Sequence, residues 1–373
     1  MKICFFSPLA YPLLRGEETD KIGGAEIQQV FLGKAIKEKF SVSFIDEDEG
    51  CEETSQDEVD NIIIYSIPLK KNFLRRFIFL LKVLNKVDAD IYIKRGAGGT
   101  VGVMALFCLL NNKKFIYSVA SDTDIDGSLI KDSFLKHLNP GLRFLYKQMF
   151  NFGLLYADGI ITQNEYQKNL LRENYNKDST IIKKGYPVPP KVGNKEKIVL
   201  WVGNIKEIKQ PEIFLELAEK LPKIKFQMIG GRAKEDSRYH DKIKVEAEKI
   251  LNLEFLGYVP FNQIDSYFER ASVFVGTSEK EGDPTTYYQA WLNKTPVVSL
   301  YVDPDDIIKE ENIGFCSGSF KQLVRDVKKL MENEELRKRM GDKGREYIKE
   351  NRSLEKMGKE FEEFLLSFDK NTS

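Results

Sequence analysis

A turn that opens a helix carries residue types suited to binding a sugar phosphate. The stretch EGDPTTYYQAW, residues 281–291, begins with Glu281 and reaches Gln289 eight positions later. Pro284 fits the first turn of a helix because its φ is already fixed. The backbone amides predicted to point from that helix start toward an anion are those of Asp283, Thr285 and Thr286. Gln289 lies one turn further along the same face, and a carboxylate and an amide beside an anion site suit a sugar joined to a phosphate.

The stretch WVGNIKEIKQPEIF places a second polar loop between a strand and a helix. The strand is predicted to end at Gly203 and the helix to start near Pro211. The polar side chains between them belong to Asn204, Lys206 and Lys209. Lys209 is well placed to neutralise a phosphate, whereas a loop lysine taken alone is more often a solvated charge. The sequence leaves both interpretations open.

Three further loops supply binding candidates. Gly23 and Gly24 precede a helix that begins near Ala25, and such a turn lets the backbone approach an anion closely. Arg95 ends a strand just before a glycine run, where it either meets an acceptor phosphate or pairs with an acidic neighbour. Loops after two strands of the second half add Gly230, Arg232 and Tyr258. For the tyrosine, ordinary packing is an equally good interpretation.

Short β-rich runs alternate with amphipathic helical stretches, which is typical of parallel sheets with crossover helices. The strands predicted in the first half are residues 2–7, 41–46, 61–66, 89–94, 114–119 and 159–163. Those in the second half are residues 197–203, 225–230, 253–257, 272–276 and 296–300. Residues 185–197, rich in proline, glycine and lysine, form the best linker candidate. We therefore expect two doubly wound α/β domains, with ligands at the carboxyl ends of their strands in a cleft between them.

The composition is that of an ordinary globular protein. The 373 residues are 42% hydrophobic and 31% charged, and their formal net charge of +0 gives no global field toward nucleic acid. Four cysteines without a CxxC pair indicate buried thiols in a reducing compartment. The start of the chain, broken by Pro8, does not fit a signal peptide, and no apolar stretch reaches the length of a membrane span. We expect a cytoplasmic protein, and a peripheral seat at the inner membrane surface stays open as an alternative.

Two blocks of charge stand out. Residues 46–60 carry nine acidic residues and no base, which predicts a solvated, mobile loop. Residues 70–86 carry six basic residues and no acid, interleaved with Phe, Leu and Ile. One interpretation is an amphipathic helix packed on its sheet. The other is a basic amphipathic surface that contacts anionic lipid.

The order of these motifs resembles a GT-B glycosyltransferase, and more specifically the large retaining group called family 4. The resemblance covers nearly the whole chain and includes the early Gly-Gly pair, VGN…K, EGDP…Q and the strand TPVV. The family signature is two glutamates separated by seven residues. It implies that Glu281 binds hydroxyls of the donor sugar and that Gln289 stands at the ribose position. Gln289 still offers a carbonyl acceptor, so we expect it to weaken or retune nucleotide binding without abolishing it.

The chain departs from the family pattern at two more points. Members commonly carry an Arg where this chain has Asn204; Lys209 matches the Lys that follows, and Lys206 is a partial replacement for the missing charge. Many members also have a His in the first domain, but neither His137 nor His240 falls there. Ser121 and Asp122 of VASDTDID occupy that region, on the acceptor side.

The segment DTDIDG invites a metal-binding hypothesis. It matches the start of a calcium loop, but Ser133 stands where a bidentate Glu is required. It also matches the Asp-x-Asp of GT-A transferases, whose layout differs from two serial α/β domains. The favoured interpretation is that Asp122, Asp124 and Asp126 cap turns or a helix. Metal binding stays as a minority alternative.

The resemblance implies a retaining hexosyltransferase with three parts: residues 1–187 bind the acceptor, residues 188–350 bind the nucleotide sugar, and residues 351–373 form a helix that packs back on the first domain. The catalytic candidates are Lys209 and Glu281. No metal or cofactor is expected; the donor is a nucleotide sugar, UDP- or GDP-linked, and the acceptor a glycan or lipid-linked glycan. A catalytically degenerate GT-B scaffold is the alternative. A dinucleotide oxidoreductase is disfavoured because no GxGxxG follows a predicted strand.

Overall fold

The computed structural model describes residues 1–17, 24–48, 51–69, 73–126, 139–232 and 237–369. The chain forms two compact units. The first holds Met1–Gly185 together with the segment from Leu354 onward, and the second holds Tyr186–Ser353. The chain therefore leaves the first unit and returns to it.

The strands in the described residues alternate with helices in both units. In chain order they are β1 Lys2–Phe6, β2 Ser41–Asp48, β3 Ser55–Val59, β4 Ile62–Pro68, β5 Ile91–Arg95, β6 Lys114–Ser118, β7 Gly159–Thr162, β8 Thr180–Ile181, β9 Ile198–Val202, β10 Lys225–Ile229, β11 Leu253–Gly257, β12 Val273–Gly276, β13 Val297–Ser299 and β14 Gly314–Cys316.

The α-helices of the same residues are α1 Ala10–Arg15, α2 Gly24–Ile36, α3 Phe73–Val87, α4 Gly99–Leu110, α5 Pro140–Leu155, α6 Glu165–Tyr175, α7 Pro211–Lys220, α8 Ser237–Ala247, α9 Phe261–Arg270, α10 Thr285–Leu292, α11 Ile307–Glu310, α12 Phe320–Glu332, α13 Glu334–Asn351 and α14 Leu354–Asp369. Short 3₁₀ turns follow β6 and β9 at Asp122–Asp124 and Glu207–Lys209.

The sheet of the first unit has the strand order β3-β4-β2-β1-β5-β6-β7-β8 in the described residues. All its pairings are parallel except β3 with β4, which is antiparallel. Its central strands are nearly continuous apolar runs because helices cover both faces. Residues of α3, α4 and α5 pack on one face, and residues of α1, α2 and α14 pack on the other.

The sheet of the second unit is parallel throughout, with the order β11-β10-β9-β12-β13-β14 in the described residues. The order changes direction at β9, between β10 and β12, which is where doubly wound sheets bind ligands. The loops after β9 and β12 therefore lie where a doubly wound sheet is expected to bind a ligand. The predicted α/β fold with two parallel-sheet, Rossmann-like domains is confirmed.

The acidic segment 46–60 differs from the predicted mobile loop. Its start belongs to β2, where Asp46 and Glu47 are buried, and its later part contains the edge strand β3. Arg76 forms an ion pair with Glu47 at 2.5 Å, which allows that carboxylate to be buried. On β3, Asp57 accepts hydrogen bonds from the side chains of Tyr11 and Arg15, each at 2.6 Å. Distant cations and donors thus order a segment whose own composition predicts a solvated loop.

Candidate functional site

Lys209 and Glu281 form an ion pair at the carboxyl edge of the second sheet. Lys209 ends the 3₁₀ turn that follows β9, and Glu281 lies in the loop that follows β12. The distance from Lys209 Nζ to Glu281 Oε2 is 2.6 Å, and the side chains are 26% and 19% exposed. The Ser278 hydroxyl donates a hydrogen bond to the other carboxylate oxygen of Glu281. The pair is therefore fixed in position yet reachable from solvent.

Hydrogen bonds join the two loops that carry this pair. The Thr277 hydroxyl donates to the carbonyl oxygen of Lys209 at 2.6 Å, and it accepts from the indole Nε1 of Trp201 at 2.9 Å. The amide of Glu279 donates to the carbonyl oxygen of Ile208 at 2.9 Å. Because Trp201 lies in β9, the chain of contacts anchors both loops to the centre of the sheet.

The predicted helix start, at Pro284, follows the loop that carries Glu281. Pro284 is the N-cap residue of α10, and Thr285 and Thr286 are its first two helical residues. The first amides of a helix have no intrahelical acceptor, so they can bind an anion. The Tyr186 hydroxyl donates to Thr285 Oγ1 at 3.5 Å. The backbone donors of Thr285 and Thr286 follow Glu281 by four and five positions and lie in the same unit as the Lys209–Glu281 pair.

The side chain of Asp283 belongs to a buried cluster. The Tyr288 hydroxyl donates to Asp283 Oδ1, and the Arg352 guanidinium lies 3.7 Å from the same oxygen. Arg352 is 1% exposed and stacks over the ring of Tyr288, with the guanidinium carbon 4.8 Å from the ring centre. Burial opposes its charge, but Tyr288 and Asp283 outweigh that effect and raise its pKa. Asp283 and Arg352 thus hold the turn before α10 in place.

Gln289 is buried, with 7% of its surface exposed, and it has a charged partner. Its Nε2 donates to Oδ1 of Asp265, on α9, at 3.2 Å. A carboxylate can only accept hydrogen bonds, so the NH2 group must face Asp265 and the carbonyl oxygen must face elsewhere. Sequence reasoning missed both Asp265 and Arg352, because neither is linked to its partner by a local pattern.

The remaining donor-side candidates lie on neighbouring loops with mixed surroundings. The amide of Gly203 donates to the carbonyl oxygen of Ile229 at 3.0 Å, which joins the loops after β9 and β10. A Cβ on Gly230 would approach Ile205 Cδ1 to 2.5 Å, so loop packing alone requires that glycine. Asn204 is exposed.

Arg232 and Tyr258, the candidates for the nucleotide base, are both exposed. Arg232 forms an ion pair with Asp241 of α8 at 2.6 Å. Asp241 Oδ1 also lies 3.1 Å from Nδ1 of His240. A Cβ on Gly231 would lie 3.1 Å from the Tyr258 ring, so these loops touch.

The candidates in the first unit form a hydrogen-bonded turn after β6. Ser121 caps the 3₁₀ turn and accepts from the amide of Thr123 at 3.1 Å, and the Asp124 carboxylate accepts from the amide of Ser121 at 3.2 Å. Asp122 accepts from Gln167 at 3.0 Å. Burial raises the pKa of Asp124. Asp124 therefore takes the predicted capping role, whereas Asp122 contacts the side chain of Gln167 instead.

Arg95 lies beside this turn, and a buried lysine precedes it. Arg95 donates to the hydroxyl of Ser118 at 3.2 Å. Lys94 donates to the carbonyl oxygen of Arg95 at 2.5 Å and lies over the ring of Phe6. Desolvation by burial lowers the pKa of Lys94 to about 8. Sequence reasoning passed over this lysine because strand lysines usually face solvent.

Several predictions of the sequence fall wholly or partly outside the described residues, among them the basic stretch 70–86, of which residues 70–72 lie outside. Gly24 starts α2, but Gly23 lies outside them, as do Ser133 of the calcium-like segment and His137. Within the described ranges, no three His, Cys, Asp or Glu side chains are grouped as a metal site requires.

A cavity of about 750 Å³ in the second unit lies away from the Lys209–Glu281 pair. Two of the basic side chains that line this cavity donate hydrogen bonds to backbone carbonyl oxygens. Lys195 donates to the carbonyl oxygens of Phe268 and Asn293 and to the Thr295 hydroxyl, and Arg345 donates to the carbonyl oxygens of two residues, Leu292 and Pro189. Desolvation lowers the pKa of Lys195 to about 7. These two basic side chains therefore stabilise the fold.

Comparisons with known proteins agree with this geometry. Residues 186–347 match the family described as Glycosyl transferases group 1. An uncharacterized glycosyltransferase of Methanocaldococcus jannaschii is 25% identical over 88% of this chain and 90% of its own length. Sucrose-phosphate synthase of Thermosynechococcus elongatus superposes with a TM-score of 0.76 at 14% identity, covering 100% of both chains. HepE of Anabaena, solved in complex with UDP, gives 0.72 at 12% identity, covering 98% of this chain and 100% of its own.

The solved structures establish the GT-B fold. The match over residues 186–347 falls on the unit that carries Lys209 and Glu281, and it supports sugar transfer as the reaction class.

Proposed function

We propose that this GT-B glycosyltransferase moves a hexosyl group from a nucleotide-diphosphate sugar to a glycan or lipid-linked acceptor, with retention, as family 4 enzymes do. The second unit binds the donor and the first binds the acceptor. The donor is UDP- or GDP-linked, and HepE supports this assignment because its structure contains UDP. The product belongs to a surface polysaccharide or another glycoconjugate.

The observation that carries this proposal is the Lys209–Glu281 pair. In the structure each charge neutralises the other at 2.6 Å. A sugar diphosphate offers a better partner to both, because its phosphate is an anion for Lys209 and its hydroxyls are donors for Glu281. Donor binding therefore exchanges one internal ion pair for two intermolecular contacts, next to the amides of Thr285 and Thr286.

The reaction needs little covalent chemistry from the protein. In a retaining transfer of this kind, the donor phosphate itself takes the acceptor proton, so neither a protein nucleophile nor a histidine base is required. Lys209 and the first amides of α10 stabilise the negative charge that develops on the leaving diphosphate. Glu281 orients the sugar. The early Gly-Gly turn is proposed to approach the same phosphates.

Calorimetry with UDP, GDP and ADP, and with their common sugars, tests the donor site. We expect saturable binding of one nucleotide, weakened about 10- to 100-fold in Lys209→Ala, since a hydrogen bond to a charged group contributes about 1.5–3 kcal/mol. Lys220→Ala, an exposed lysine on α7, is the matched control and should bind as the wild type does. Binding unaffected by Lys209→Ala would place the donor elsewhere.

The alternative is a degenerate GT-B protein that binds a nucleotide or glycan without turnover. The observation favouring it is that the family's ribose glutamate is replaced by Gln289, which is already hydrogen-bonded to Asp265. Incubation with the nucleotide sugar that binds separates the two. Release of free nucleotide at a rate that falls in Glu281→Gln supports the enzyme, whereas binding without any release supports the scaffold.

The acceptor assignment includes a peripheral membrane contact through residues 70–86. No helix in the described ranges is long and apolar enough to cross a bilayer. We place contact with a lipid-linked acceptor on a surface of the first unit, and the charge and exposure of α3 are the starting point for locating it.

A further inference from the structure

Three neighbouring helices of the first unit, α3, α4 and α5, expose large apolar side chains. Their inner faces pack on the sheet, so these side chains point away from it. The exposed ones are Ile78, Leu81, Leu106, Leu109, Leu110, Leu142, Phe144, Leu145 and Leu155. Leu110 is 74% exposed, Phe144 65% and Leu155 58%. Single exposed leucines need no explanation, but an apolar patch of this extent marks a contact surface.

The three helices present one continuous surface because glycines let two of them pack closely. A Cβ on Gly102 of α4 would lie 2.2 Å from the Met149 carbonyl oxygen of α5, and one on Gly153 would lie 2.5 Å from Val101. Between the helices runs an apolar groove of about 660 Å³. Residues of all three helices line it: Phe77, Leu81, Leu106, Met149, Phe152 and Leu155. We call this groove and its exposed rim the apolar face.

The described lengths of the three helices of the apolar face carry charge of one sign. Along the described lengths of α3, α4 and α5 there are six basic side chains and no acidic one. Arg76, one of the six, adds no net charge to this surface because it forms an ion pair with buried Glu47. Lys86 lies 5.6 Å from the centre of the Tyr65 ring. Lys82 and Lys147 are exposed beside the apolar residues.

We propose that the apolar face docks on an anionic lipid bilayer. Exposed leucine and phenylalanine with lysine and arginine beside them, and no acid, is the composition of helices that lie in the interface between headgroups and acyl chains. Anionic headgroups supply the opposite charge. A second copy is a poorer occupant, since a two-fold dimer through this face would set equal basic charges against each other. This inference deepens the proposed lipid-linked acceptor and rests on it for its purpose.

The surface extends beyond residues 70–86, and this changes which variants test it. Reversing Arg76 would leave Glu47 buried without its cation and would disturb the fold. The informative changes are on exposed residues. The charge variant is Lys82→Glu/Lys147→Glu, and the apolar variant is Leu110→Ser/Leu155→Ser. Their matched controls in the second unit are Lys220→Glu/Lys249→Glu and Val245→Ser/Leu251→Ser, all at exposed positions.

Flotation with vesicles measures docking without any nucleotide or sugar, so its result is independent of the donor site. The full chain is mixed with vesicles of phosphatidylcholine alone or with added phosphatidylglycerol. We expect it to float only with the anionic vesicles. The charge variant should lower the partition coefficient about tenfold or more, since each near-surface basic residue contributes about fivefold. The apolar variant should lower it by about the same factor, since binding strength also scales with the apolar area buried in the interface. Both controls should float like the wild type, and thermal melts identify any variant that is misfolded.

The outcomes separate the possible occupants. Absence of wild-type flotation with anionic vesicles, or flotation unchanged in both surface variants, overturns the proposal. A wild-type dimer in light scattering that the apolar variant converts to a monomer assigns the face to a second copy instead. Membrane docking with no nucleotide binding would refute the proposed function and leave this inference standing.

Discussion

Lys209 in the second unit and Lys94 in the first both lie at the carboxyl edge of their sheets, but their electrostatic surroundings differ. Lys209 is partly exposed and pairs with the carboxylate of Glu281. Lys94 is buried and donates to a backbone carbonyl, and desolvation lowers its pKa to about 8. A lysine that pairs with a partly exposed carboxylate can exchange that partner for a ligand, whereas a lysine that donates to the backbone supports the loop that carries it.

The same contrast appears among the carboxylates. In the second unit, Glu281 accepts from two side chains, Lys209 of the loop after β9 and Ser278 of its own loop. In the first unit, Asp124 accepts from backbone amides and closes a turn. The second unit therefore holds its functional charges by side chains that can change partners, and the first uses them to fix its backbone. That division agrees with a donor site in the second unit.

The largest expected effect concerns the buried charge that holds the donor-side turn. Arg352→Met removes the cation beside Asp283 and should destabilise the protein by about 3–5 kcal/mol, since the buried carboxylate keeps the Tyr288 hydroxyl as a donor but loses its positive charge. Adding Asp283→Asn should recover part of this loss. Urea denaturation measures both. If the single variant unfolds like the wild type, the turn does not depend on this cluster.

Two buried lysines, one in each unit, should change the free energy of unfolding in opposite directions when each is replaced by methionine. Lys195 donates to three acceptors, so the unsatisfied groups left by Lys195→Met should outweigh the penalty reflected in its own lowered pKa and cost about 2–3 kcal/mol. Lys94 makes one hydrogen bond to a carbonyl, and its lowered pKa is a penalty on folding at neutral pH. Lys94→Met should therefore stabilise the protein by on the order of 1–2 kcal/mol at pH 7.

The pH dependence of that gain is the specific readout. Between about pH 8, the pKa of folded Lys94, and the ordinary value of 10.5, the unfolded chain binds more protons than the folded one. The Lys94 penalty is therefore complete below pH 8 and disappears as the pH rises through this window. We expect the wild type and Lys94→Met to converge near pH 10 in denaturation experiments. A constant difference between them would exclude titration of Lys94 as the cause.

The smallest expected effect concerns Gln289. The resemblance to family 4 implies that Gln289→Glu should tighten nucleotide binding, but Asp265 lies 3.2 Å from the Gln289 amide. Gln289→Glu would set two carboxylates against each other, so we expect it to leave binding unchanged or weaken it. In Asp265→Asn/Gln289→Glu the hydrogen bond is restored with its polarity reversed, and binding should be several-fold tighter than in the single variant. Calorimetry with the nucleotide that binds decides this, and tightening by Gln289→Glu alone would show that Asp265 does not orient the side chain.

Much of the fold could be predicted because its signals are local. The buried strands are short apolar runs between helices, and Pro284 and the glycines mark the turns that follow them. The edge strand β3 was missed because its residues, SQDEV, are mostly polar and acidic. Its order comes from pairing with β4 and from Tyr11 and Arg15, which are distant in sequence.

The candidate site, like the fold, was predictable only where its signals are local in sequence. Lys209 and Glu281 could be named from their loops, but their contact, 72 positions apart in the chain, needs the sheet to bring β9 and β12 together. Asp265 and Arg352 act on Gln289 and Asp283 through tertiary packing alone. No spacing rule links these pairs, so only the folded arrangement identifies them.

The return of the chain to the first unit has a consequence for how the protein is made. Met357, Phe361 and Leu365 of α14 belong to the same apolar cluster as the strands and helices at the start of the chain. On a ribosome, the whole second unit is synthesised before these residues emerge. The first unit must therefore wait with one apolar surface uncovered while its neighbour folds. Synthesis that stops short of residue 354 should yield a first unit that chaperones retain.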